Sequence, residues 1–536
     1  VDGICLAWCG EILNAGELCH RLKLTPGTPL HRALAAAWQE WASGFVAHLQ
    51  GEFSLALLAG DELLLYRSHS GLSNLYWHTG HEGVVAFGTH LPSVLRATAG
   101  QARLASASLH EYLRFLDIAA PNTMFEGVHA VEAGQLVRWD AGGQVSRTWP
   151  ASAAAGTTPA DMPQALDRLD ALLQRGVRVS LSGSSRPAAF LSGGIDSSLI
   201  CAMAARQHKG IKALTVGFDA MPFDEAPIAQ RIAAHLGMPH EVLRYSRAEY
   251  LSAFERLAAE MEQPMADPAA PATLLAFDHC HRHFDAVLDG TGADEAVGAM
   301  PPRHVRLAVG YASLLPRSVR RELARLLRAV PALCGYTPIL DFEHPADTMI
   351  RWRGFTRTEI EELCGEPVSF EHTQFYRTFA RFGRHAHFER YSALLDVMPS
   401  DRLSQAALIT GLRVRYPFFD AETNRFIRQL RTDMRYLPGE PKRILRALLA
   451  RYVPRDLWDV PKHGFDFPLH EFLSAENFQL VRRYLDPDRW RQTGLLSAER
   501  VQQYAQRFIA GEQRLAFRVW ALVTLGAWLE KHELAF

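Results

Sequence analysis

Cysteine is scarce and scattered. The seven (Cys5, Cys9, Cys19, Cys201, Cys280, Cys334 and Cys364) include no CxxC pair. An odd, dispersed set argues against a disulfide framework and leads us to expect reduced thiols and a cytoplasmic protein. Long apolar runs are missing too: no stretch of about 18 such residues exists, so no membrane-spanning helix and no membrane partner are expected. No signal peptide is recognisable, although the sequence opens on Val1 rather than Met, which leaves room for residues upstream. Charge of either sign lacks excess. Lys plus Arg number 57, Asp plus Glu 58, and a net charge of −1 gives no basic field for nucleic acid.

What is present is ordinary for a globular protein: 48% hydrophobic and 21% charged residues. At 536 residues the chain exceeds one core, so two or more domains are expected. Residues 1–149 carry short alternating runs, "ICLAWCGEI", "FSLALLAG", "ELLLYRS", "GVVAFGT" and "QLVRWDAGGQVSRTW", separated by turn residues. That is the pattern of a β-rich domain, interrupted by helical stretches near 30–49 and 107–116. "PASAAAGTTPAD", within 150–161, predicts a linker. From 162 to 536 the style changes. A helix, "MPQALDRLDALLQRGV", leads to the strands "PAAFLS", "IKALTVGF", "HEVLRYS" and "FDAVLDG", with helices between them. Such alternation predicts an α/β domain with a doubly wound parallel sheet. Beyond 300 the pattern reads as almost wholly helical, and no repeat is visible.

The chemistry concentrates in "FLSGGIDSSLI", 190–200. A buried strand stops at Ser192-Gly193-Gly194 and a helix restarts at Asp196-Ser197-Ser198. In a doubly wound sheet, ligands bind where strand ends meet helix N-termini, and a bare glycine loop there suits phosphate. The lysine that follows the glycines in a Walker loop is absent. Asp196 beside phosphate makes sense if it holds a metal, and Mg²⁺ fits. The bland alternative is a tight turn with a capping Asp.

"SGGIDSS" resembles the pyrophosphate loop of the ATP pyrophosphatase superfamily. Further segments resemble its asparagine synthetase branch: "TVGFDAMPFDEAPIAQRIAAHLGMPHEV", "QPMADPAAPATLLA", "LDGTGADEAVG", "SDRLSQAALITGLRVRYPFFD" and "PKHGFDFPL", in the family's order between 215 and 469. The resemblance implies ATP and Mg²⁺ as cofactors. It implies that Leu191 and Val216 flank adenine, that Ser192, Gly193, Gly194, Ser197, Ser198 and Gly290 belong to the nucleotide site, and that Asp196 and Asp294 hold metal. It further implies catalytic positions at Lys462, where an amine meets the phosphates, and at the Asp401-Arg402 pair. Lys442 and Arg443 read more simply as a solvated helix start. His279 and His283 have i, i+4 metal spacing but lack a third ligand pattern, so surface histidines are expected.

The β-rich domain resembles the glutaminase half of asparagine synthetase, in degenerate form. A working glutaminase of that N-terminal-nucleophile type uses an N-terminal Cys whose α-amine serves as base to its thiol. Here Val1-Asp2 opens the chain, while "WCGEILN" aligns with an internal Asn-Gly-Glu-Ile motif and Cys9 replaces the Asn. Cys5 and Cys9 are internal, and a structural role is expected of both. The acceptor side departs as well. Thr291 stands where the family has a Glu linked to amine chemistry, Pro399 replaces a lysine, and "VRYP" (414–417) replaces Val-Arg-Val-Pro.

Adenylation turns a carboxylate oxygen into a leaving group, and an amine then closes an amide. With no glutaminase, the amine comes most simply from the substrate itself, and holding both groups together contributes about 7–11 kcal/mol towards closure. Two relatives work this way, β-lactam synthetases and lasso peptide cyclases. The resemblance to the second implies a precursor (core) peptide as substrate, with a leader peptidase and a leader-recognition protein as partners. The helical stretch 301–395, with basic and aromatic segments such as "RHVRLAVGYASLLPRSVRRELARLLR", is a candidate peptide-holding wall or a plain solvated subdomain. An ammonia-using asparagine synthetase, a β-lactam synthetase, a non-catalytic peptide scaffold and a nucleic-acid-modifying pyrophosphatase all stay open.

Overall fold

The structure is a computed structural model. It describes residues 3–80, 83–98, 103–150, 159–218, 225–328, 340, 342, 344–350, 354–383, 386–397, 401–459 and 467–532. The expectations placed on Val1, Asp2, Pro399, Lys462 and most of the 150–161 segment lie outside these residues.

The first half holds eight strands: β1 (Ile4–Ile12), β2 (Gly51–Ala59), β3 (Glu62–Arg67), β4 (Tyr76–Thr79), β5 (Val85–Gly88), β6 (Val128–Ala130), β7 (Leu136–Trp139) and β8 (Val145–Thr148). They form a five-stranded sheet, β1-β2-β3-β7-β8, and a three-stranded sheet, β5-β4-β6, in antiparallel pairings. Alternate side chains of β2 and β3 point to opposite faces. Leu55, Leu57, Leu64 and Tyr66 pack towards Ala33, Leu34 and Ala37 of the helix Leu30–Trp41. Ala56 and Leu65 pack with Val137 and Trp139 towards Leu75, Trp77 and Val131 on the side of the smaller sheet. Both faces are covered, which is why "FSLALLAG" reads as a continuous apolar run.

The second half opens on the helix Met162–Leu181, whose N-cap Asp161 accepts a hydrogen bond from the Gln164 backbone N–H at 2.9 Å. Five strands follow: β9 (Pro187–Phe190), β10 (Lys212–Phe218), β11 (His240–Tyr245), β12 (Ala286–Leu288) and β13 (Val414–Arg415). They pair in parallel in the order β11-β10-β9-β12-β13. This is the expected α/β arrangement. The sequence missed β13, a two-residue strand in the region read as helical. Its periodicity is too short to register, and only pairing of Val414 and Arg415 with Val287 and Leu288 makes it a strand.

The two halves share contacts that neither could make alone. Glu11 of β1 accepts from Arg415 Nε and Nη2 at 3.0 and 3.2 Å, and Arg415 is nearly fully buried. The Tyr112 hydroxyl donates to the Ala521 carbonyl at 2.7 Å within the C-terminal helix Ala516–His532, which is buried around most of its circumference. Glu262 Oε1 accepts from the Leu91 backbone N–H at 2.9 Å.

Burial pushes the Glu262 carboxyl up to about 7. A carboxyl whose folded pKa is raised binds more protons folded than unfolded, so its contribution to stability falls as pH rises from about 4.5 to about 7. Glu262→Gln is expected to raise the melting temperature at pH 8 and to change it little at pH 4. A thermal-denaturation series across that range checks it, and a parallel loss at both ends would contradict the assignment.

Candidate active site

Three chain segments converge at the carboxyl end of the parallel sheet. The first is the turn after β9. Leu191 lies fully buried beneath it, its N–H donating to the Leu214 carbonyl at 2.8 Å and its carbonyl accepting from Thr215 Oγ1 at 2.5 Å. Both backbone groups of Leu191 are thus bonded within the sheet and its side chain is buried, while Val216 is half-buried near the end of β10. The Ser192 N–H donates to Ser197 Oγ at 3.1 Å, and the Gly194 N–H donates to Ser192 Oγ at 3.3 Å, which closes the loop on itself. Gly194 caps the helix Ile195–Gln207 with no side-chain acceptor, so the first helical N–H groups face the loop's mouth. Gly193 has φ +78°, and a Cβ there would lie 2.8 Å from Ile228 Cγ2.

The second segment follows β12. A Cβ on Gly290 would stand 2.8 Å from the Ser197 backbone nitrogen, so only glycine lets this turn lie against the phosphate loop. Thr291 donates from both N–H and Oγ1 to Asp289 Oδ1, at 2.7 and 2.6 Å. Its hydroxyl is thus tied to the turn. Asp294 and Glu295 begin the short helix Ala293–Val297.

The third segment was misread in the sequence. Lys442 is not part of a solvated helix start: its side chain is largely buried, and its Nζ lies 2.5 Å from Asp196 Oδ2 and 2.7 Å from Asp294 Oδ1. Its backbone sits in the left-handed region at φ +57°, a conformation rare outside glycine, which aims the side chain back under the loop. Burial opposes the ammonium charge, but Asp196 and then Asp294 outweigh it and hold the pKa above its ordinary value. Arg443 stays partly exposed and donates to the Asp433 carbonyl at 2.7 Å. The usable signal was Gly439 four residues before the helix Arg443–Leu449, with one lysine between them.

The Asp401-Arg402 pair divides between two environments. Arg402 Nη1 donates to Asp267 Oδ2 at 3.0 Å. Asp401 accepts from Gln405 Nε2 at 2.9 Å and from Ser404 Oγ, and its N–H donates to Asp117 Oδ2 at 2.9 Å. Burial pushes Asp117 and Asp401 above the ordinary carboxylate range, and Asp401 adds to the rise at Asp117. Thr291 and Asp401 share a cavity of about 540 Å³ between the halves, with Arg67, Asn74, Glu295 and Arg428 also in its wall. Sequence reasoning missed these last four, because nothing in their spacing predicts that they meet. Arg428 pairs with Asp396 across that wall at 2.7 Å. The His279 and His283 ring centroids lie 4.6 Å apart with the planes tilted by 49°, His279 lies 3.3 Å from Glu241, and no group of three metal-capable side chains occurs among the described residues.

Against known proteins, the family described as asparagine synthase matches residues 168–530. The chain belongs to the asparagine synthase family. It is accordingly an ATP-dependent amide ligase. A glutamine amidotransferase domain matches residues 2–150. A putative glutamine-hydrolyzing asparagine synthetase of Mycobacterium tuberculosis is 26% identical over 88% of this chain and 76% of its own length. Glutamine-hydrolyzing asparagine synthetase 1 of Bacillus subtilis is 22% identical over 97% and 84%. A carboxyethyl-arginine beta-lactam-synthase of Streptomyces clavuligerus is 26% identical over 54% and 55%.

The residues present fit a nucleoside triphosphate. Ser198 Oγ is buried and meets no hydrogen-bond partner among the described residues, and the Gly193 and Gly290 backbones leave room that a Cβ would fill. When bound, ATP supplies the adenylyl group that makes a carboxylate oxygen leave. The loop N–H groups would then face the phosphates, and Lys442 keeps a positive charge between two carboxylates that would otherwise repel. Lys442→Ala is expected to cut AMP formation by about 10²–10³-fold, the loss typical of one removed electrostatic donor. Gly290→Ala is expected to raise the KM for ATP by displacing the loop. Assays of AMP and pyrophosphate release check both, and an unchanged rate in Lys442→Ala would contradict the role.

Proposed function

We propose that this amide ligase is a peptide macrolactam synthetase of the lasso cyclase type. It adenylates an Asp or Glu side chain of a precursor peptide with ATP and Mg²⁺, the metal held by Asp196 and Asp294. The activated carbonyl then joins the peptide's own N-terminal amine, and AMP and pyrophosphate leave. A leader peptidase that frees the amine and a leader-recognition protein that delivers the peptide complete the reading.

The cavity between the halves carries this proposal. Its volume of about 540 Å³ falls in the range that encloses drug-sized ligands rather than a single small amino acid. A second cleft of about 860 Å³ shares Leu72, Asn74, Leu403 and Phe419 with it and runs to Trp8 and Cys9 on β1. The amidotransferase-like half thus supplies wall. Its Cys5 and Cys9 are exposed within an edge strand, each bonded into the chain on both sides, so neither has the free α-amine that activates an N-terminal thiol. Glu295 and the paired Arg428 and Asp396 give the cavity polar groups of both signs.

Full-length protein with ATP and Mg²⁺ is to be offered linear peptides bearing a free N-terminus and an internal Asp or Glu. Mass spectrometry is expected to show loss of one water per peptide with stoichiometric AMP. Asparagine formed from aspartate with ammonium or glutamine, or ring closure of a small β-amino acid with all peptides inert, would overturn the proposal. Cys9→Ser is expected to leave the rate unchanged within about twofold, whereas a dead variant would return a nucleophilic role to the first half.

A further inference from the structure

One surface lies away from the nucleotide loop and its cavities. Two helices, Arg303–Ala312 and Arg317–Arg328, follow the second active-site segment. Their own core is small: Val309, Ala312 and Phe342, with Val305 and Leu340 packed beside it. Arg320 faces inward, stacked 4.1 Å over Phe342 and donating to the carbonyls of Leu340 and Phe342 at 3.1 and 2.8 Å. The outward faces are apolar where solvent should find polar groups. Leu307 and Tyr311 lie at i and i+4 on the first helix, Leu314 follows in the turn after it, and Val319, Leu323 and Leu326 recur at i, i+4 and i+7 on the next helix. Leu314 is 81% exposed and Tyr311 71%. With Leu315, these make seven of the thirteen large apolar side chains exposed among the described residues, so the exposure is a patch and not scatter.

The same segment, 303–328, holds seven arginines against one glutamate, in a chain whose net charge is −1; Arg320 is turned inward, and Arg303 and Arg321 are among those exposed. The excess is therefore local. We propose that this surface docks on an anionic lipid bilayer, its two leucine-rich stripes entering the headgroup boundary and its arginines meeting lipid phosphates. Charge complementarity selects this occupant. A cluster of four to eight basic residues on an amphipathic helix is the pattern that anionic leaflets attract, and three-residue stripes give shallow insertion that needs no shape match. Among the described residues no helix is long and apolar enough to cross a membrane, and lying on one asks for none. The sequence alone predicted no membrane partner; the exposed stripes supply the reason to expect contact without crossing. This assignment does not depend on which acceptor the enzyme uses.

The full chain is to be sedimented with vesicles of equal phosphatidylglycerol and phosphatidylcholine, and with vesicles of phosphatidylcholine alone. Binding is expected to the first and not the second, and to weaken with salt. Leu314→Glu combined with Leu323→Glu is expected to lower binding at least about tenfold, and Arg321→Glu by roughly fivefold or more. AMP-release activity in solution, retained in the variants, shows that they fold. No binding to anionic vesicles would overturn the proposal, as would binding indifferent to the leucine substitutions. A concentration-dependent dimer of the lipid-free protein that these substitutions abolish, without vesicle binding, would assign the patch to a second copy and overturn it too.

Discussion

The arrangement depends on one ionic knot. Asp196, Asp294 and Lys442 come from segments far apart in the chain, and the ammonium lies within 2.7 Å of both carboxylates. Two carboxylates this close without a cation would repel strongly in a partly desolvated site. The lysine therefore ties the loop after β9 to the turn after β12. Gly290 lets the backbones approach as closely as the charges ask. On the proposed reading, the three groups that shape the site would also meet the pyrophosphate, so positioning and chemistry would use one set of atoms.

The amidotransferase-like half takes its meaning from that site. Arg415 carries β13 at one end of the parallel sheet, and its guanidinium reaches across to Glu11 of β1 and to the Ser180 and Ser182 carbonyls. A buried guanidinium with so many acceptors is costly to disconnect, so the halves are held in one relative placement. Arg67, buried in the cavity wall, bonds within its own half, to the Val131 carbonyl at 2.9 Å and to Asn74 Oδ1 at 2.7 Å. The basic helical pair 303–328 extends the molecule in another direction, towards its surroundings instead of its acceptor.

Much of this was legible from residue order. Period-two alternation located most strands of the first half, and strand-helix alternation located β9 to β12, because those patterns follow from burial of one or both sheet faces. The glycine loop at 192–198 was legible because a local turn must be written in consecutive residues. What distance in sequence hides stayed hidden. Lys442 looked like any lysine at a helix start, and Arg67, Asn74, Glu295 and Arg428 carry no mutual spacing to betray a common cavity. β13 was too short for a period, and the stretch read as a peptide-holding wall or a solvated subdomain gave no sign that the apolar side chains of 307–326 lie exposed beside only a small core.

Residue order by itself determined the fold class, the family and the glycine turn at 192–198, since each rests on local pattern or on motifs in register. Tertiary structure alone decided which charges meet, which carboxyls lose water and rise in pKa, and which apolar faces stay uncovered. The reason is physical: Coulomb attraction, desolvation and burial depend on distance through space, and the chain brings residues 196, 294 and 442 within one ion pair of each other only once the sheet has formed.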